Sequence, residues 1–135
     1  MRHLRIIGRI ACFAVCLAAA APLARAQVTP EQNEVLTAVA KCLLAGLPQD
    51  WYEARVTVTM DEPGAANGSA RYEYSRQLAR DEMIAFTPCT WGNPARGLAG
   101  MRRFQPEDRQ GWKSARFVLH RDGKFDLTYD YPKKE

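Results

Sequence analysis

Histidine is almost missing from this sequence: of its two copies, His3 and His120, only the second lies beyond the first 26 residues. Cysteine is scarce there too, with Cys42 and Cys89 alone. One imidazole and no cysteine pair at ligand spacing leave little from which to build a zinc site. Ser69, Ser75 and Ser114 have no Gly-x-Ser-x-Gly setting, so an elbow-type serine nucleophile is not indicated. No glycine-rich phosphate loop follows a strand pattern. The acid pairs Asp61-Glu62, Asp81-Glu82 and Glu107-Asp108 are adjacent in sequence and flank turns, where capping and solubility account for them. Internal repeats and low-complexity segments are absent. After Leu23, no apolar run approaches the ~20 residues that a membrane-spanning helix requires.

The N-terminus is distinctive. Arg2, His3, Arg5 and Arg9 precede an almost wholly apolar run from Ile10 to Leu23, and Ala24-Arg25-Ala26 puts small residues where a signal peptidase reads them. Residues 1–26 are therefore expected to be a cleavable secretory signal peptide, cut between Ala26 and Gln27. The working protein would then be periplasmic or secreted, without stable insertion in the membrane. Cys12 and Cys16 lack the small-residue setting of a lipid-modified cysteine. The leader holds four arginines and no acid, which is the whole of the formal charge of +4. The remaining 109 residues are balanced, so net charge does not point to a nucleic-acid partner. A local asymmetry survives: five basic and nine acidic groups over residues 27–92, against eight and three over residues 93–124. A chain of this length suits one domain, here residues 27–135.

In an oxidising compartment Cys42 and Cys89 are expected to pair. Closing a loop of this length stabilises by roughly 4 kcal/mol in the chain-entropy model. Two free buried thiols are the alternative.

Hydrophobic periodicity supplies the elements. Thr29-Pro30-Glu31-Gln32 has the form of a capped helix start, and Val35, Leu36, Val39, Leu43 and Leu44 follow at helical spacing until Gly46 and Pro48. From Trp51 the period becomes two: Tyr52, Ala54, Val56, Val58 and Met60 share a face, opposite Glu53, Arg55, Thr57 and Thr59. A turn over residues 61–68 leads to a second strand with Ala70, Tyr72, Tyr74 and Leu78, and residues 83–86 are candidates for a short extra strand. Asn93-Pro94 opens a second helix carrying Ala95, Leu98, Met101 and Phe104 on one side, its glycines 97 and 100 notwithstanding. Ala115, Phe117 and Leu119, then Arg121-Asp122-Gly123, then Phe125, Leu127 and Tyr129 make a hairpin. The expected class is α+β: an antiparallel sheet of four to five strands in helix-hairpin-helix-hairpin order, with two helices packed on one face.

The segment from Leu98 to Tyr131 resembles the closing module of the YezG-like immunity protein family. Met101-Arg102, Trp112, Phe117, Leu119, Gly123-Lys124-Phe125 and Asp130-Tyr131 occupy the places of that module's motifs. Leu47-Pro48-Gln49-Asp50-Trp51 is similar to the Pro-x-x-Trp element closing the family's first helix, and Tyr72-Glu73-Tyr74 to its second-strand aromatics. The resemblance implies a protein that binds and neutralises a cognate toxin, without catalysis, cofactor or metal. It also implies structural roles for Trp51, Trp112, Gly123 and Phe125. Two features depart from the family: the signal peptide and the cysteine pair. An exported member would face a toxin acting in the cell envelope.

Charge complementarity would speed such binding. Two candidate surfaces follow, the acidic set Glu53, Asp61, Glu62 and Glu73 and the basic set Arg102, Arg103, Arg109 and Arg116. Trp51, Trp91, Trp112 and five tyrosines keep a glycan- or peptidoglycan-binding module open as an alternative. A small secreted enzyme is a third, requiring a cleft with His120 or two converging carboxylates. Oligomeric state is left open.

Overall fold

The structure is a computed structural model that describes residues 3–9, 28–65 and 67–133. The predicted cleavage point at Ala26 and Gln27 lies outside these residues, as does the apolar run of the leader. The elements run β1 (His3–Arg9), α1 (Pro30–Ala45), β2 (Trp51–Met60), β3 (Gly68–Arg76), β4 (Ala79–Ala85), α2 (Pro94–Gly100), β5 (Ser114–His120) and β6 (Lys124–Asp130). Two 3-10 turns, Met101–Phe104 and Glu107–Arg109, join α2 to β5.

The class is α+β with a six-stranded antiparallel sheet in the order β1-β6-β5-β2-β3-β4. The sheet is thus larger than the four to five strands expected, and the helix-hairpin order is not the one observed. One reason is β4. The four-residue apolar run at 83–86 understated it, because its first residues, Ala79 to Glu82, alternate no hydrophobic pattern and lie at a solvated edge, where Ala79 pairs with Arg76. Leu78, placed by periodicity in the second strand, instead sits wholly exposed in the tight turn between β3 and β4. The other reason is β1, which pairs along its entire length with β6.

Alternation in the strands resolves into one buried face. Ala54, Val56, Val58 and Met60 of β2, Ala115, Phe117 and Leu119 of β5, and Phe125, Leu127 and Tyr129 of β6 are all buried. They form a single cluster with Leu36, Val39, Ala40 and Leu43 of α1 and Leu98 of α2. Two fixed periods therefore meet: every second strand residue and one stripe of each helix. Leu44 falls off that stripe and is exposed. No helix among the described residues is long and apolar enough to cross a membrane.

Local chemistry sets the ends of these elements. Thr29 and Gln32 form the reciprocal capping box, with Gln32 N donating to Thr29 Oγ1 at 3.2 Å and Thr29 N to Gln32 Oε1 at 2.9 Å. Gly123 takes φ +86° between β5 and β6, a conformation that side chains with a Cβ rarely adopt. The segment between α2 and β5 is pinned from inside. Tyr131 donates to Arg109 O at 2.7 Å and accepts from Gln105 Nε2 at 3.1 Å, while Gln110 Nε2 donates to Gln105 O. Burial pushes the Tyr131 phenol up despite the Gln105 donor, so it remains a neutral hydroxyl able to donate.

Cys42 and Cys89 form a disulfide, with Cα atoms 4.8 Å apart and a sequence separation of 47. It joins the buried side of α1 to the strand-to-helix connection after β4, alongside a backbone bond from Cys89 N to Cys42 O at 2.9 Å. Changing both cysteines to serine should lower the unfolding free energy by about 2–4 kcal/mol. Urea denaturation would show this as an earlier midpoint, and an unchanged midpoint would mean that the bridge does not stabilise the domain.

Candidate functional site

The connection between β4 and α2 crosses the C-terminal end of α1 at close range. A Cβ on Gly46 would lie 2.2 Å from Thr87 O, and one on Gly92 only 3.3 Å from the Cys89 sulfur. Only glycine lets the backbone descend this far at position 46. Held by the disulfide and by these approaches, the connection has nowhere to bury the residue between them. Trp91 consequently points outward and is 67% exposed, the largest exposed aromatic among the described residues.

Two hollows flank that indole. One, of about 570 Å³, runs along α2 and is lined by Val35, Thr90, Asn93, Arg96, Gly97, Gly100 and Arg103. The other, of about 420 Å³, lies along α1 beside Pro30, Asn33, Glu34, Thr37 and Lys41. The helices meet closely at Gly97, whose missing Cβ would stand 3.3 Å from Val39 and 3.7 Å from Val35. Glycines at 97 and 100, which weaken the second helix by propensity, open the first hollow. Asn93 starts α2, accepting from Arg96 N at 3.1 Å, and so fixes the helix turn that carries the Arg96 side chain. Arg96 and Arg103 are exposed, and neither pairs with a carboxylate among the described residues. Trp91, Arg96 and Arg103 line the same hollow, the Arg103 guanidinium resting over the Phe104 ring at 4.6 Å, so an aromatic plate there can stack against a planar or apolar group while the guanidinium groups hold a carboxylate beside it.

The uncovered face of the sheet carries a second arrangement. Its central strip sets the two carboxylates of Asp126 and Glu53 on either side of the His120 imidazole, with the guanidinium groups of Arg5 and Arg55 at its ends. Asp126 Oδ1 lies 3.1 Å from the Arg5 guanidinium, Asp126 Oδ2 3.1 Å from His120 Nε2, and Glu53 Oε2 3.2 Å from Arg55. Glu53 Oε1 is 3.9 Å from His120 Nδ1. The two carboxylates converge on the imidazole from neighbouring strands. Yet the group lies on an open sheet face and not in either hollow. One register step away, Arg71, Thr57, Arg116, Thr128 and Arg5 stand in a row across five strands, leaving Arg116 unpaired among the described residues.

The residues singled out from sequence are thus dispersed. Of the acidic set, Glu53 and Glu73 share the open face, paired with Arg55 and near Arg71, while Asp61 and Glu62 lie in the β2 to β3 loop. Of the basic set, Arg116 stands on the open face, Arg109 on a 3-10 turn, and Arg103 beside the α2 hollow. Arg102 has a structural duty. Its Nη1 donates to Gly64 O at 3.0 Å and Ala65 O at 3.1 Å, and its guanidinium lies 4.8 Å from the ring centre of fully buried Trp112, so it ties the β2 to β3 loop to the core. Trp51 is half-buried. Sequence patterning missed the Trp91, Arg96 and Arg103 grouping; the seven-residue interval between the two arginines after a capped turn was the available signal. Among the described residues, no cluster of three or more histidine, cysteine or acidic side chains could hold a metal. No protein-family model matches the chain, and no curated protein is significantly similar to it.

Asp126 gives this face a pH dependence of definite sign. Partial burial raises its carboxyl, but the His120 and Arg5 hydrogen bonds and the charges of both residues outweigh it, and the group is held below its ordinary value of 3.8. A carboxylate with a depressed folded value adds stability that is complete above pH 3.8 and is lost as the pH falls through the depressed value. Asp126→Asn should therefore lose stability near neutral pH and show a flatter acid limb, measured by thermal unfolding across an acid titration. Parallel curves for the two proteins would contradict this.

Proposed function

We propose that this chain is an exported binding protein of the immunity type, which holds a cognate envelope-acting toxin by the surface around Trp91. The exposed Trp91, standing between two hollows of which one is also lined by the exposed Arg96 and Arg103, is the observation that carries it. Aromatic and arginine side chains contribute disproportionately to protein interfaces, above all when the backbone beneath them is already ordered. Here a disulfide supplies the order, so little conformational freedom remains to be lost on association. That same bridge suits an oxidising compartment, and the leader-like sequence of residues 1–26 suits export. The resemblance of residues 98–131 to an immunity module supplies the class of partner. Unpaired cations beside the indole favour a toxin surface bearing carboxylates, recruited at a rate that falls with added salt.

The test is site-specific photocrosslinking from position 91 in the cell envelope, followed by identification of the captured species and an inhibition assay with it. Wild-type protein should neutralise the captured toxin, and Trp91→Ala should weaken binding at least tenfold, about 1.4 kcal/mol or more. Arg96→Glu with Arg103→Glu should slow association and remove most of its salt dependence. Capture of glycan strands would replace the proposal with a glycan-binding module. A toxin bound equally well by the Trp91→Ala protein would place the interface elsewhere.

A further inference from the structure

The two edges of the sheet differ. At β4 the edge strand carries the exposed charged residues Arg80, Asp81 and Glu82, a common protection against unwanted pairing. At the other end, β6 presents its outer backbone groups to β1, and β1 is drawn from residues that the sequence marks as a leader. If those residues leave on export, the β6 edge is left open. The strand now seated there shows what the edge accepts.

All seven residues of β1 pair with β6, from His3 opposite Asp130 to Arg9 opposite Lys124. Three positions are demanding. Arg5 meets Asp126, its Nε donating to Oδ1 at 3.3 Å and its Nη2 lying 3.1 Å from the same oxygen. Ile6, opposite Leu127, packs against the core. Gly8, opposite Phe125, lies under that ring so closely that an added Cβ would be 2.6 Å from its Cζ. Phe125 cannot easily yield, because it is 1% exposed and stacked on Phe117 at 5.4 Å. Ile7, by contrast, points away from the core and is 64% exposed. The edge thus selects a cation, an apolar residue, a free position and a glycine, in that order.

We propose that the β6 edge is a strand-docking site of the mature protein, taking an antiparallel extended segment of a partner protein with the pattern cation, apolar, any residue, glycine. Residues 3–9 act as an internal stand-in that fills the site until the leader is removed, so this rests on the export reading above. Main-chain pairing provides the affinity, and the alternate side-chain positions provide the selectivity. A second copy of β6 fits less well. In an antiparallel pair centred on Leu127, Tyr129 would fall opposite Phe125, where glycine is needed, and the place of Arg5 opposite Thr128 would be taken by a second Asp126, a like charge and not a cation.

The full chain carrying Gly8→Val, which should free its own strand from β6, is the test protein, and a labelled peptide of residues 3–9 is the probe. Fluorescence anisotropy should show at least tenfold tighter binding to this chain than to the wild-type chain, whose edge is already filled. Valine at the glycine of the peptide, or Asp126→Arg added to the chain, should each cost at least tenfold. Arg5→Glu offers a gentler release should Gly8→Val fail to fold. A folded released chain that ignores the peptide overturns the proposal, as does one that sediments as a dimer instead. The N-terminal residue of the chain recovered from the envelope separates the two readings. Gln27 there with no peptide binding sinks the docking edge alone, whereas retention of residues 3–9 sinks the leader and the free edge together.

Discussion

One-sided burial of the antiparallel sheet governs the rest of this molecule. Side chains on adjacent strand positions point to opposite faces, so covering one face with α1 and α2 commits every second residue of β2, β5 and β6 to the core. The remaining positions must then live in water, and they do so as a lattice of charges and threonines. Because the helices occupy only one face, the connection that carries the chain from β4 to α2 has to pass over the end of α1. Trp91 is exposed at that crossing.

Covalent and steric constraints reinforce one another there. The disulfide holds the connection to α1, and Gly46 and Gly92 allow it to lie close. Neither would place Trp91 alone: the bridge limits distance but not direction, and glycine permits close approach without enforcing it. Together they leave an indole exposed on an ordered base. Interfaces built on rigid aromatic anchors lose less entropy on binding than those built on mobile loops.

The open face follows a different logic. Some of its polar contacts join neighbouring strands, while Arg55 with Glu53 and Arg71 with Glu73 pair within one strand, and Asp126 connects β1, β5 and β6 through Arg5 and His120. Partly exposed pairs of this kind add little stability individually. Their greater effect is on register, since a one-residue slip would turn the charged set into the core. The same specificity extends to the sheet edge, where Asp126 and Phe125 impose chemical demands on whatever strand lies beside them.

Much of the architecture was legible in the amino-acid order because it is local. The Thr29 and Gln32 cap, the alternation along β2, β5 and β6, the Asn93 helix start and the Gly123 turn are each decided within a few residues. The cysteine pairing was also accessible, since only two cysteines lie beyond the leader-like segment. Where local signals were weak, the outcome depended on distant partners. β4 begins in charged residues that form a strand only because β3 lies beside it, and β1 is a strand by virtue of the β6 edge. The candidate site is more dependent still. Trp91, Arg96 and Arg103 carry no shared motif, and Arg102, their neighbour in sequence, is consumed by Trp112 and the β2 to β3 loop. Sequence by itself determined which residues prefer helix, strand and turn, because those preferences come from backbone sterics and short-range hydrogen bonds. Only the tertiary structure decided which aromatic stays in water, which arginines remain unpaired and which strand edge is filled, because exposure and pairing are set by neighbours far away along the chain.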